Sequence, residues 1–360
     1  MVVSEPKIQE VGTTGPAATE SSTGPSLGSS SGSSSGEPGS SSSSGGESGE
    51  APPILPGEFE VLWTVSPSGV SPPADSAGTI RTDAYDILPV DFGDHPGELE
   101  DREGLYAQIE AEIESAIVDA EAGGFGVLPR PPWVPAWCGS SDAAHDGFAA
   151  SSYGAGLSGA ELRGAFEAEA LEILLGVLAR ARATRPNVQW GIRGVPSPEY
   201  WEIVERGEDD TYETWRTCEV SSPASRELWE AVDFTAPELR YFYSVRDDGA
   251  YNASYVTRWV EAMRLANKPV YPLFGGRFLV SSSDDDSIYI GLPYYAEDVE
   301  VVLTELRNAG ADGLIYDLNA DECWDLDADC SAPPPADLQA AVDDYWMTAF
   351  SPVLATFDEM

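Results

Sequence analysis

Short apolar runs alternating with long amphipathic segments from residue 59 onward predict an α/β fold, a parallel sheet covered by helices. Two further observations narrow it. The folded stretch, residues 57–360, has the length of one barrel-sized domain, and its strand–helix order repeats often enough to close on itself. The expected architecture is a distorted TIM-type (β/α) barrel of about seven parallel strands, preceded by a disordered N-terminal tether. In such a barrel the chemistry lies on the loops after the C-terminal ends of the strands.

Residues 1–56 contain SSSGSSSGEPGSSSSSGGESGE, which lacks the large apolar side chains that offset the entropy of ordering. They read as a flexible tether. The expected strands are FEVLWTV (59–65), YDILPVDF (85–92), GFGVL (124–128), VQWGI (188–192), ELRYFYSV (238–245), PVYPLF (269–274) and DGLIYD (312–317). Helices are expected at about 98–121, 158–184, 251–267 and 295–309, with a last one from about 335. The second of these carries Leu162, Phe166, Ala170, Ile173, Leu174 and Val177 at helical spacing. Ser158 and Glu161 have the spacing of a capping box at its start, and Arg185-Pro186 stops it.

The formal charge is −43, from 62 acidic against 19 basic residues, and only Lys7 and Lys268 are lysines. Six of the acids and one of the bases lie in residues 1–56, which leaves the folded part at −38. Such a surface repels nucleic acid, anionic lipid and acidic polysaccharide and favours solubility in salt. A solvated acidic shell is its plainest meaning.

Of the four cysteines, Cys323 and Cys330 enclose a short loop, leaving Cys138 and Cys218 as a candidate long-range pair. No cysteine or histidine spacing suggests zinc, and His95 and His145 read as ordinary surface histidines. No run has the length of a membrane helix, and residues 1–20 lack the apolar core of a secretion signal. The Ser/Gly arm nevertheless resembles the stalk that follows a lipoprotein anchor. The expected location is extracellular or at the cell envelope, with lipid anchoring through this arm.

Five segments carry a family likeness. FEVLWTVSPSGV (59–70), GFGVL followed by Trp133 and Pro135, ATRPNVQWG (183–191), CEVSSPASRELWEAVDFTAPELRYFYS (218–244) and LRNAGADGLIYD (306–317) resemble, in this order, the hyaluronidase family of glycoside hydrolases. The likeness spans roughly residues 59–330 and implies a distorted seven-stranded barrel. It also implies a substrate-assisted cleavage of β-linked N-acetylhexosamine bonds, in which a Glu protonates the leaving oxygen and an Asp two residues earlier orients the acetamido group. Anchored on Trp133 and Pro135, those two positions fall on Pro129 and Pro131, and Val134 replaces the family's Arg. Proline has no proton to give and no charge to stabilise an intermediate. From Ala122 to Ser141 there is no Asp or Glu at all.

The family's cleft aromatics are thinned as well. Trp190-Gly191 is followed by Ile192 and Arg193, Tyr241 or Tyr243 falls at the fifth-strand tyrosine, and Tyr316 or Asp317 at the last-strand Trp. The family's disulfide half-site matches Cys218, its usual partner position lies near Glu199, and Cys138 is the substitute the resemblance suggests.

Relocated carboxylates at strand ends form a second possibility, with Asp91, Asp94, Glu199, Asp247, Asp248, Asp317, Asp321 and Glu322 as candidates and Asp317 the best placed. Asp325, Asp327 and Asp329 have an EF-hand-like start, but Cys330 stands where Gly is needed and Ala336 where Glu is needed, so no metal and no other cofactor is expected. The aromatics Trp63, Trp133, Trp137, Trp190, Tyr241, Tyr243 and Tyr316 fall near strand ends, half or more of them as core filling. The expected cleft residues are Trp133, Trp137, Arg193, Tyr241 and Tyr316. Asn252 heads a weak glycosylation pattern.

The leading expectation is a hyaluronidase-like barrel without the family's catalytic acids, a pseudoenzyme that binds a neutral or cationic glycan. Hyaluronan, with one carboxylate per disaccharide, would meet a repulsive field. The alternatives are a glycoside hydrolase that acts on another polysaccharide through relocated carboxylates, and a structural or adhesive surface domain.

Overall fold

A computed structural model describes residues 59–65, 80–99, 101–195, 209–239, 245–275, 294–316 and 338–357. The expected tether, and with it Glu199, Tyr241, Tyr243, Asp317, Cys323 and Cys330, lies outside the described residues.

Seven strands form one sheet: β1 (Glu60–Val65), β2 (Ile80–Asp86), β3 (Gly124–Leu128), β4 (Val188–Ile192), β5 (Glu238–Leu239), β6 (Leu273–Phe274) and β7 (Gly313–Tyr316). Their order is β4-β3-β2-β1-β7-β6-β5, and every neighbouring pair is parallel. The two outer strands of this order approach each other. Arg193, just past β4, bridges Ala236, just before β5, and Gly194 N–H donates to the Ala236 carbonyl at 2.9 Å. Asp233 N–H donates to the Trp190 carbonyl at 2.8 Å along the same seam. The sheet thus curls into the expected barrel-type α/β architecture.

Nine α-helices accompany the strands among the described residues: α1 (Arg102–Ala116), α2 (Asp142–Ala150), α3 (Gly159–Thr184), α4 (Asp209–Trp215), α5 (Pro223–Ala231), α6 (Val245–Arg264), α7 (Ala296–Ala309), α8 (Leu338–Tyr345) and α9 (Ser351–Phe357). In α3 the periodic residues Phe166, Ala170, Ile173, Leu174 and Val177 are all fully buried, as a single apolar stripe requires. Ser158 is its N-cap, but its side chain makes no capping bond, so the expected capping box does not form. Arg185 does end the helix, and its buried guanidinium donates from Nε to the Ile117 carbonyl at 2.9 Å, tying α3 to the end of α1. Helix α7 stops at Gly310, whose φ of 83° is the left-handed conformation that glycine adopts without a Cβ penalty.

One strand sits elsewhere than the apolar pattern suggests. β2 covers IRTDAYD rather than YDILPVDF, because its ladder starts at Ile80 opposite Val61 and it is the backbone pairing, not apolarity, that selects the segment. β5 starts at Glu238, where the expected strand over 238–245 starts, and from Val245 the chain is helical.

The lumen is filled by side chains, as in barrels of this size. Leu62, Ala84, Phe125, Val127, Phe234, Ala236, Tyr271, Leu273 and Ile315 form one buried cluster. Phe125, Phe234 and Tyr271 lie with ring centroids 5.0 to 5.9 Å apart, and Tyr271 Oη donates to Glu60 at 2.9 Å at the opposite end from the strand C-termini. On the outer face of β3, Trp190 crosses Gly126 so closely that any Cβ there would lie 2.2 Å from the buried indole.

Burial raises the phenol pKa of Tyr106 and Tyr212, and that of Tyr85 with help from the nearby Asp83 carboxylate. A phenol held protonated more firmly in the folded than in the unfolded chain contributes stability that is complete below about pH 10 and is lost as pH rises through its folded value. Denaturant midpoints of the full chain are expected to hold below pH 10 and fall above it, with absorbance at 295 nm reporting a lagging class of tyrosinates. A midpoint that rises above pH 10 would contradict this.

Candidate functional site

The lumen face continues past the apolar cluster to the strand C-termini, and there it becomes charged. Side chains alternate along a strand, so Asp86 follows Ala84 on β2, Arg193 follows Gly191 after β4, and Glu238 follows Ala236 on β5, all on the inward face. The three meet. Arg193 Nη2 lies 2.7 Å from Asp86 Oδ1, and Nη1 donates to Glu238 Oε1 at 3.3 Å. Arg130, on the loop after β3, reaches the other Glu238 oxygen at 4.0 Å. The Asp86, Arg193 and Glu238 side chains are 13 to 17% exposed and Arg130 is 40% exposed, so the cluster is mostly buried with one arginine more open to solvent.

One planar guanidinium therefore joins β2, across the lumen, to β5, and it does so at the seam between β4 and β5. The sequence points to Arg193 as a cleft residue but not to Asp86 or Glu238. For Asp86 the displaced strand explains the omission: the apolar pattern puts it at the start of a strand, whereas it is the last residue of β2. The polar stretch Arg81-Thr82-Asp83 hides β2 from an apolar search. The remaining signal is the period of two that carries Ala84 to Asp86.

The loop after β3 stands beside this cluster and is closed to solvent on its inner side. Pro129, Pro131 and Pro135 are buried, while Arg130 and Pro132 are exposed. The loop folds back through Ser140, whose hydroxyl accepts from Val134 N–H at 3.2 Å and donates to the Val134 carbonyl at 3.1 Å. No carboxylate follows Pro129 and Pro131 until Asp142.

The aromatic candidates fare unevenly. Trp133, expected on an open cleft, is 1% exposed and packs edge-on against Phe92 in the core, with no hydrogen-bond partner for Nε1 among the described residues. Tyr316 is 3% exposed and stacks on Trp63 at 4.8 Å on the outer face of the sheet, because odd-numbered positions of β7 are lumenal and even ones are not. Trp137 is half-buried and lies flat on His145, ring centroids 3.8 Å apart. His145, expected on the surface, is held there by a 2.7 Å hydrogen bond between Nε2 and the Trp137 carbonyl. Asp91 is exposed and accepts from Gly93 N–H at 2.8 Å, the task of a turn residue.

Cys138 and Cys218 form a disulfide with Cα atoms 5.9 Å apart. It joins the end of the β3 loop to the π-helical turn Arg216–Val220 that follows α4. An open groove of about 990 Å³, lined by Arg163, Glu167, Glu213, Thr217 and the disulfide, lies beside it. Among the described residues no group of His, Cys, Asp or Glu has the arrangement of a metal site, and no helix is long and apolar enough to cross a membrane.

No protein-family model matches the sequence, and no curated protein does either. Two solved structures resemble the fold. The monoclinic crystal structure of bee venom hyaluronidase superposes with a TM-score of 0.58 at 15% identity, covering 82% of this chain and 99% of that one. Bee venom hyaluronidase in complex with a hyaluronic acid tetramer gives 0.57 at 14% identity, covering 82% and 98%. At such identity the likeness is one of architecture. This chain has the barrel fold seen in those two structures.

Proposed function

We propose that the chain is a hyaluronidase-like barrel that binds a glycan at the C-terminal mouth of its strands without cleaving it. The carrying observation is the pair Pro129 and Pro131, buried at the positions where the family resemblance puts the orienting Asp and the proton-donating Glu. The barrel fold and the position of the charged cluster at the mouth support a carbohydrate ligand. The disulfide is of the kind that persists in oxidising surroundings and supports a place outside the cytoplasm, at the cell surface.

A second reading has one observation in its favour. Asp86 and Glu238 converge from different strands, as a relocated carboxylate pair would. Against it, both carboxylates face the same Arg193 guanidinium, whereas an acid and a base need surroundings that set them apart.

The test is incubation of the full chain with hyaluronan and with neutral polysaccharides, reading thermal shift and new reducing ends from the same wells. The expected result is stabilisation by at least one neutral glycan with reducing ends at the level of the blank. Turnover of any polysaccharide would overturn the non-catalytic reading, and silence in both channels would favour a structural surface domain.

A further inference from the structure

The Cys138–Cys218 bond lies at the surface rather than in a core. Cys138 is exposed and Cys218 half-buried, and both line the open groove of about 990 Å³ whose other walls come from α3, through Arg163 and Glu167, and from the turn into α5, through Ser221 and Pro223. We infer that this bond is a redox-operated clasp, which a thiol reductant opens in the folded protein and which thereby releases the end of the β3 loop.

Access comes first. Thiol–disulfide exchange requires a thiolate to reach one of the two sulfurs, so a disulfide inside a core waits for the chain to unfold, whereas one beside open space can be attacked in place. Cys138, the more exposed of the two, is the sulfur attacked. The incoming sulfur bonds to Cys138 Sγ as the Cys138–Cys218 bond breaks, and the electron pair leaves on Cys218 Sγ as a thiolate. The second thiolate of a dithiol then displaces Cys138 Sγ. The dithiol ends as a disulfide, having given two electrons and two protons to the two cysteines.

The turns on either side are built to outlast the opening. On one side Gly139 N–H donates to the Ala136 carbonyl and Ser140 N–H to the Trp137 carbonyl, each at 3.1 Å, and Trp137 is stacked on His145. On the other, Ser221 N–H donates to the Arg216 carbonyl at 3.1 Å, and Trp229 Nε1 to the Val220 carbonyl at 3.0 Å. Each turn keeps its own bonds, so reduction removes their covalent attachment to each other. The two turns meet closely next to the bond: a Cβ on Gly139 would lie 2.5 Å from the Glu219 side chain. Clasped, they are held at that distance; unclasped, two single turns are free to part, which makes the bond the control of a two-state element.

The test is treatment of the full chain with dithiothreitol in native buffer, followed by alkylation and mass spectrometry, which reads Cys138 and Cys218 separately from Cys323 and Cys330. The expected rate of opening is within about tenfold of the rate in the urea-unfolded chain, whereas reduction that waits for global unfolding is slower by the folding equilibrium constant, about a thousandfold or more. Far-UV circular dichroism stays that of the folded chain. Amide exchange at Gly139, Ser140 and Ser221 rises at least about tenfold on reduction and returns on reoxidation. The chain carrying Cys138→Ser and Cys218→Ser shows the fast exchange with or without reductant, and the unsubstituted chain carries the test even where that variant folds poorly. Glutathione is expected to form its mixed disulfide at Cys138 in preference to Cys218.

The opposing results differ from one another. Opening about a thousandfold slower than in the unfolded chain would overturn the accessible clasp. Loss of the far-UV signal on reduction would make the bond a staple of the whole fold. Fast opening with unchanged exchange at the three amides would show that packing alone holds the turns together, and would overturn the switch as well. Glutathione found on Cys218 alone would overturn the direction of attack.

Discussion

Replacing Cys138 and Cys218 together by serine is expected to lower the stability of the full chain by roughly 4 kcal/mol, with a fall in Tm on the order of 10 °C. The bond closes a separation of 80 residues that includes all of α2, α3 and β4, so the unfolded chain gains a large share of conformational freedom when it is cut. The folded state loses something more local. The bond holds the end of the proline-rich β3 loop against the turn before α5, in a region where the half-buried Trp137 is otherwise positioned by His145 and by Glu167, which accepts from its backbone N–H at 3.1 Å. Urea unfolding of the doubly substituted chain measures the loss directly and avoids reducing any other cysteine. An unchanged midpoint would mean that the loop is held by packing alone and that the disulfide is incidental.

Much of the fold is legible in the amino-acid sequence, and the reasons are physical. β3 and β4 occur at the expected residues because GFGVL and VQWGI are short, largely apolar runs bounded by turn residues and, apart from the exposed Gln189, mostly buried. α3 is legible because its apolar stripe repeats over many turns and ends at Arg185-Pro186. β2 lies away from its expected place because a parallel strand in a closing sheet is selected by its neighbours' backbones, and its own sequence is polar. The same displacement hides the mouth. A search for acids that follow apolar runs finds Asp91 and Asp94, which are loop residues, and passes over Asp86, which is at the lumen only because the ladder begins at Ile80.

The loop after β3 is stiffened by prolines, of which Pro129, Pro131 and Pro135 are buried, and the charged groups at this end of the lumen come from β2, from the residue after β4 and from β5. Arg130 extends from that loop to the cluster.

Arg193→Leu is expected to cost about 3–5 kcal/mol, comparable to the disulfide and by a different route. Leucine fills much of the same space, so the loss would be electrostatic: Asp86 and Glu238 would remain, each mostly shielded from water, with the bridging cation gone and Arg130 at the edge of ion-pair range from Glu238. Because the ion pair to Glu238 spans the seam between β4 and β5, where regular pairing is reduced to the Arg193 and Ala236 bridge, the cost should show as local opening of that edge before global unfolding. Amide exchange at Gly194, whose N–H donates across the seam, would accelerate more than exchange at Phe125 or Val127 in the middle of the sheet. Arg193→Lys should recover only part of the loss, since an ammonium is a point charge and cannot hold two carboxylates in one plane. The triple substitution Asp86→Asn, Glu238→Gln, Arg193→Leu separates the two causes. If the cost is that of stranded carboxylates, neutralising them restores most of the stability. If stability stays low, the guanidinium was acting chiefly through its packing in the lumen, and the charged cluster would have to be read as a structural plug.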